Sequence, residues 1–300
     1  MEASRATAVA GPAHLALLQA VRDYVTLTKP RVQSLLLFTT ACAMFIAGSP
    51  SVALVVATLV GGALSAGGSG AINHWYDRDI DAAMERTADR PVAAGRISPR
   101  AALGFGIVLG AVSVAWLALL VNPLAAALSL AGFLGYSIGY TVLLKRSTWQ
   151  NIVWGGAAGA VPPLVGWAAV TGSVSGLAVI LFFIVFFWTP PHFWALSLLM
   201  KDEYAKVGVP MLPVVRGEAE TRRQILLYSV LLYAVTQLPF CVGAVGLVYL
   251  VPSMLLGLTL IALAWNLKRS ADRRAALRLY LFSLAYLAAL FAAMVADVQL

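Results

Sequence analysis

No Asp, Glu, Lys or Arg occurs between Arg31 and Asp77, a gap of 45 residues. Further gaps cover 101–144 (44 residues), 147–200 (54) and 224–267 (44), and a last one covers 279–296 (18). A helix crossing the hydrocarbon core takes about 20 residues. Each of the first four gaps therefore holds two spans and a tight turn, and the last holds one, which makes nine. Turn signals fall inside the gaps at Gly48-Ser49-Pro50-Ser51, Asn122-Pro123 and Thr171-Gly172-Ser173, with a softer break from Gly246 to Pro252. The expected class is an all-α membrane protein with spans near 32–48, 52–72, 101–121, 124–144, 149–170, 174–200, 224–245, 248–267 and 278–297.

Composition agrees. Hydrophobic residues make up 61% of the 300 and charged ones 11%, against about 45–50% and about 25% in soluble domains. The net charge of +8 does not indicate a nucleic-acid partner, because the charges sit in short blocks between apolar runs. All 21 Lys and Arg fall in the N-terminal segment or in the loops after the second, fourth, sixth and eighth spans. The positive-inside rule then puts the N-terminus in the cytoplasm and the C-terminus on the opposite side. Residues 1–31 do not read as a signal peptide, since Gly11-Pro12, Arg22, Asp23, Lys29 and Arg31 interrupt any apolar core. His14 to Thr28 reads either as an interfacial amphipathic helix or as a solvated tail, with His14 facing solvent. Cys42 and Cys241 fall within spans and offer neither a disulfide framework nor a zinc site. One intramembrane domain is expected over 32–297, with long charged loops at 73–100 and 201–223. Two such loops four spans apart hint at an internal duplication.

The first long loop carries the main constellation. Asn73, Asp77 and Asp81 are spaced by four. On a helix they lie at about 0°, 40° and 80°, with Asp79 turned away at about 240°. Like charges at this spacing repel, so the stripe calls for a cation. Two carboxylates and an amide are hard oxygen donors of the kind Mg²⁺ accepts while taking further ligands from water and phosphate. Arg86 and Arg90, also four apart, could clamp phosphate oxygens. The alternative is a solvated loop whose acids and bases pair with one another.

The stripe Asn73-x-x-x-Asp77-x-x-x-Asp81 at the end of the second of nine spans resembles the UbiA superfamily of intramembrane prenyltransferases. Asp81-x-x-Met84-x-Arg86-Thr87-x-x-Arg90-Pro91 is similar to its haem-farnesylating branch. So are Leu144-Lys145-Arg146-Ser147-Thr148 with Asn151-Ile152-Val153, and Gly155-Gly156-x-x-Gly159-x-x-Pro162-Pro163. Trp188-Thr189-Pro190-Pro191-His192-Phe193-Trp194 and Tyr204-x-x-x-Gly208-Val209-Pro210-Met211-Leu212-Pro213 complete the likeness, which spans roughly 23–297. It implies a UbiA-type bundle in the cell (inner) membrane with its active site on the cytoplasmic side. The implied reaction moves the farnesyl group of farnesyl diphosphate to the vinyl group of haem B and adds water, with Mg²⁺ as cofactor and haem as substrate. A haem A synthase or a terminal oxidase assembly pathway is the implied downstream partner.

The resemblance also assigns roles. Lys145, Arg146 and Lys201 join Arg86 and Arg90 as diphosphate contacts. A second Asp-x-x-x-Asp, frequent in quinone-modifying members, is replaced here by Lys201-Asp202-Glu203-Tyr204-Ala205-Lys206. Asp202 and Glu203 are then the acidic groups left to complete the metal site. Tyr136 and Tyr140 share a helical face and either line the isoprenoid channel or pack. His192 lies about 12 Å from the end of its span, where an ionisable side chain points to function. It is either a haem-iron ligand or the partner of carbonyls freed by Pro190-Pro191. His74, beside the stripe, has an interfacial packing role as its alternative. Phe182, Phe183, Phe186, Phe187 and Trp188 read as lipid contact and core, and the glycines at 61, 62, 67, 68 and 70 as close helix packing. The block Lys268 to Arg278 reads as a topology signal. Two other readings remain at this stage: a quinone or aromatic acid acceptor, and a transporter or haem carrier.

Overall fold

The computed structural model describes residues 12–300, so residues 1–11 of the predicted N-terminal segment lie outside it. Helices follow one another as α1 (Pro12–Leu27), α2 (Pro30–Ala47), α3 (Val52–Tyr76), α4 (Arg78–Ala83), α5 (Pro99–Leu120) and α6 (Pro123–Leu134). A π-helical segment (Gly135–Leu144) continues α6. Then come α7 (Asn151–Thr171), α8 (Gly176–Leu199), α9 (Lys201–Lys206), α10 (Leu212–Val215), α11 (Gly217–Cys241), α12 (Leu247–Ser270) and α13 (Arg273–Gln299). Among the described residues nine helices are long and apolar enough to cross a membrane: α2, α3, α5, α6 with its π segment, α7, α8, α11, α12 and α13. The chain is an all-α, multi-pass membrane protein.

The short turns begin new helices as the sequence suggests. Ser51, Asn122 and Ser175 accept the backbone N–H three residues on, and Pro123 opens α6. Asn122 Nδ2 also donates to the Ala168 carbonyl at 2.8 Å, tying this turn to the end of α7. Some boundaries differ from expectation. The turn predicted over Gly246 to Pro252 closes by Gly246, and Pro252 sits inside α12. The Asp297 carboxylate accepts from the N–H groups of Gly246 and Tyr249 and so caps that helix. The loop predicted to begin at residue 73 begins instead after a helix that runs on to Tyr76.

α3 and α5 cross at glycine. A Cβ on Gly68 would stand 2.6 Å from the Gly106 carbonyl oxygen, and one on Gly106 would stand 2.7 Å from that of Gly68. Ser113 Oγ donates to the Gly61 carbonyl at 2.7 Å and Trp116 Nε1 to that of Ala57 at 2.9 Å across the same seam. This is small-residue packing of the type membrane helices use. Gly68→Leu is therefore expected to cost about 3 kcal/mol by overpacking, read as a lower melting temperature in detergent. Gly104→Ala, which meets nothing within 4 Å, serves as the neutral control. A Gly68→Leu protein that melts with the control would remove the seam from the account.

Inside the bundle, Thr40, Thr58, Thr221 and Ser229 return their hydroxyls to the carbonyl four residues back, which satisfies them without water. Cys42 is buried in α2 and Cys241 is exposed at the end of α11, and both are free. Helix α1 packs through Asp23, Tyr24 and Leu27, while Leu15, Leu17, Leu18, Val21 and Val25 are exposed. His14 is exposed as expected.

Candidate active site

The stripe survives a break in its helix. Asp77 sits at the junction of α3 and α4 with φ −86° and ψ 5°. Asp77 N still bonds the Asn73 carbonyl (2.9 Å) and Asp81 N that of Asp77 (2.8 Å), so the four-residue register holds. All three side chains are buried, at 3%, 0% and 3% exposure for Asn73, Asp77 and Asp81. Asn73 Nδ2 donates to Asp77 Oδ2 at 2.7 Å and to Thr141 Oγ1 at 3.2 Å.

Cations from three other parts of the chain close on these oxygens. Lys145 Nζ donates to Asp77 Oδ2, and Lys29 Nζ to Asn73 Oδ1. Arg90 Nη1 donates to both oxygens of Asp81 at 2.8 Å. Lys29 ends the α1–α2 turn in a left-handed conformation, φ 54° and ψ 55°, which a non-glycine residue adopts only when its surroundings hold it there. Burial, with Arg90 and Lys145 close by, pulls its ammonium down to about 7 against the opposing pull of Asp77 and Asp81.

The π segment sets Lys145. Lys145 N bonds the Tyr140 carbonyl at 2.8 Å, five residues back, so Lys145 returns towards the face that carries Tyr140. Thr141 and the Tyr76 hydroxyl, which donates to the Val142 carbonyl at 3.4 Å, join this segment to α3. Asn151 Nδ2 holds the Lys145 carbonyl at 3.1 Å. The neighbouring Arg146 turns mainly to Asp79 and reaches Asp77 Oδ1 at 3.5 Å. It grips both oxygens of Asp79 at 2.7 Å, donates to the Tyr76 carbonyl at 3.0 Å and lies over the Tyr76 ring. That hydrogen bonding brings the Asp79 carboxyl down to about 2. Arg146 thus fastens the loop to the helix end, and its bonds go to protein groups.

The other predicted residues divide. Arg86 is exposed. Arg86, Arg90, Asp77 and Glu203 all lie close enough to Tyr204 to act on its phenol, which burial raises, so α9 leans over the same pole. Glu203 Oε2 is buried without a hydrogen-bond partner, whereas Asp202 is exposed. Lys201 bonds Glu218 at 3.0 Å, and Glu218 also takes Arg222 at 3.1 Å. His74 is buried and its Nδ1 has no partner.

The donor set fits a hard cation. Two buried carboxylates and an amide oxygen converge on adjacent turns, and Glu203 offers a further buried oxygen without a partner. Among the described residues no group of three or more His, Cys, Asp or Glu could hold a metal ion. The pole therefore suits an ion such as Mg²⁺, which takes its remaining ligands from water and phosphate.

A cavity of about 810 Å³ runs into the bundle and meets this pole at Lys29, within the range of small-molecule sites. Lys29 and Tyr136 line it, and so do Phe133, Trp188, His192 and Tyr280. Of the two tyrosines, Tyr136 faces this space, while Tyr140 packs against Gly155, where a Cβ would stand 2.3 Å from its ring. Trp188 is buried in the main core, as expected, and its ring also stacks on His192 at 4.3 Å. Lys29, Thr141 and Ser283, a hydrogen-bond partner of His192, were not singled out from the sequence. In the sequence Lys29 reads only as one of the charges that interrupt an apolar core in residues 1–31.

The model of the UbiA prenyltransferase family matches residues 36–290. The chain is 56% identical over 297 residues to the Protoheme IX farnesyltransferase of Chloroflexus aurantiacus, covering 98% of this chain and 51% of that protein. It therefore spans about half the length of this relative. It is 54% identical to the protein of the same name from Symbiobacterium thermophilum, over 93% of this chain and 95% of that one. The fold is similar to a digeranylgeranylglyceryl phosphate synthase (TM-score 0.77, 17% identity, 94% of this chain and 100% of that one). It is also similar to a UbiA homolog from Archaeoglobus fulgidus bound to GPP and Mg²⁺ (TM-score 0.68, 19% identity, 91% and 99%). On these grounds the chain belongs to the UbiA prenyltransferase family.

Proposed function

We propose that this protein transfers the farnesyl group of farnesyl diphosphate to a vinyl group of haem B, giving the hydroxyethylfarnesyl side chain of haem O. The observation that carries this is one pole holding buried carboxylates and cations, from which an apolar cavity reaches a deep histidine. The relatives of nearly equal length, named Protoheme IX farnesyltransferase, support the acceptor. One intramembrane domain over 32–297 performs the reaction, and the one-sided Lys and Arg distribution supports a cytoplasmic pole in the inner membrane.

Asn73, Asp77 and Asp81, with Glu203 beside them, would hold Mg²⁺, which supplies Lewis-acid stabilisation of the leaving diphosphate. With the diphosphate bound, Lys145 and Arg90 would turn from the carboxylates of Asp77 and Asp81, and Lys29 from the Asn73 amide oxygen, to phosphate oxygens. They then face the charge that grows as the C1–O bond breaks, where preorganised positive groups act most strongly. Arg86, at the exposed rim, meets the diphosphate on entry. The cavity walls keep water from the allylic cation while the vinyl carbon attacks C1. Water then captures the resulting porphyrin-conjugated cation, and the proton leaves to solvent. His192 contacts the haem.

Purified protein in liposomes, given haem B, farnesyl diphosphate and Mg²⁺, should form a haem heavier by farnesyl plus water, detected by mass spectrometry and lost with EDTA. Diphosphate release only with an aromatic acid or naphthoate acceptor would overturn the haem assignment while leaving the metal pole. Haem retention without any diphosphate release would instead make the chain a carrier.

A further inference from the structure

His192 is fixed on three sides. Its ring is stacked between Trp188, at 4.3 Å and 17°, and Tyr280, at 4.9 Å and 26°. Its Nδ1 lies 2.7 Å from Ser283 Oγ on α13. Ser283 has one hydroxyl proton, and Oγ lies 2.6 Å from the Tyr280 carbonyl, which can only accept, so the proton belongs in that contact. Oγ can then only accept from the imidazole, so the proton of neutral His192 is on Nδ1. Trp188 Nε1 donates to the Ser283 carbonyl at 2.7 Å and locks α8 to α13 at this level. The lone pair is left on Nε2, on a residue that lines the cavity.

We infer that Ser283 is a positioning residue that holds His192 as its Nδ1–H tautomer and so presents Nε2 to the cavity as a ligand for the iron of a porphyrin substrate. A ligating histidine whose second nitrogen donates to an oxygen keeps its tautomer and ring orientation and is a better base. Tyr280 and Trp188 add the orientation, since a ring clamped on both faces cannot swing Nε2 away. A histidine that only satisfied carbonyls freed by the Pro190-Pro191 pair would direct its N–H at α8, whereas this one directs it at α13. The inference rests on the proposed haem acceptor and adds to it the atom that meets the iron and the residue that aims it.

The test uses full-length protein in liposomes titrated with ferric protoporphyrin IX, followed by the Soret band and by electron paramagnetic resonance. Wild-type protein should give a histidine-ligated spectrum that His192→Ala abolishes. Ser283→Ala should bind the iron porphyrin about tenfold more weakly, the size expected when the partner of a ligating histidine is lost, with a smaller ligated fraction. Ser283→Thr, which keeps the hydroxyl, should restore both. Metal-free protoporphyrin IX should bind wild type and Ser283→Ala alike. Equal weakening of the metal-free porphyrin would make Ser283 merely structural, and an unchanged Ser283→Ala spectrum and affinity would overturn the inference. A wild-type spectrum in His192→Ala would remove the ligand itself, while the farnesyl transfer assay could still succeed with another group on the iron.

Discussion

Asp77→Asn is expected to lower Mg²⁺-dependent product formation by about 10²–10³-fold, the range seen when one preorganised charge-stabilising group is removed. The substitution keeps the shape of the side chain but leaves the stripe one carboxylate, Asp81. It also removes the acceptor of Lys145, whose side chain is 13% exposed. Stripping one partner from a buried ion pair costs about 3–5 kcal/mol, so lost activity alone would not separate chemistry from folding. Set against Lys145→Met alone, because Lys145 itself faces the diphosphate, the double variant Asp77→Asn with Lys145→Met separates them. It removes the stranded ammonium and should recover the melting temperature of the solubilised protein, while product formation stays at the level of the single variant or below. Recovery of both by the double variant would mean that Asp77 serves only to neutralise Lys145, and near-normal turnover of the single variant would remove Asp77 from the metal.

The sequence is most legible where one physical constraint acts alone. Bilayer thickness sets the length of a span, and charge-free gaps therefore count the helices. They locate the ends less well, because a gap measures the apolar stretch and a helix can continue into water. α11 begins at Gly217 rather than near 224 because Glu218 pairs with Arg222 and Glu220 with Arg223 along its first turns. The π winding after Leu134 carries no residue signature of its own. It accompanies tertiary bonds from Asn73 and Tyr76 to residues 141 and 142, partners more than sixty positions away.

The same division runs through the site. Asn73, Asp77 and Asp81 are recognisable because their relation is intrahelical, and helical periodicity alone puts them on one face. Of their cations Lys145 is named only through the family resemblance and Lys29 not at all, since the two reach the stripe from 68 and 44 residues away. Arg146, adjacent to Lys145 in sequence, bonds chiefly to Asp79, the acid that periodicity turns away from the stripe, and touches Asp77 only at 3.5 Å. One residue of rotation thus decides which neighbour faces the pole. Ser283 is one of several serines on apolar helices, and nothing local distinguishes it. Only the packing of α13 against α8 brings it 91 residues back to His192.

Arg90→Ala is expected to reduce kcat/KM by about 10²-fold, and raising Mg²⁺ should not restore it. Arg90 holds both oxygens of Asp81, which is 3% exposed, so two roles are open to it. It can neutralise a buried carboxylate, or it can deliver its fork to the diphosphate once a metal ion has taken that carboxylate. The two roles respond to Mg²⁺ in opposite ways. If neutralisation were all, the divalent ion would replace the guanidinium, and saturating Mg²⁺ would return full activity. If the fork meets phosphate, Asp81 freed of Arg90 binds the metal at least as tightly, so the Mg²⁺ concentration for half-maximal rate falls or stays level while the maximum remains low. Arg90→Lys sharpens the distinction, because an ammonium keeps the charge but cannot offer two parallel donors to a phosphate. It should retain the melting temperature and recover only part of the rate. Mg²⁺ titrations of the three proteins in the farnesyl transfer assay decide the matter, and full rescue of Arg90→Ala by the ion would confine Arg90 to charge compensation.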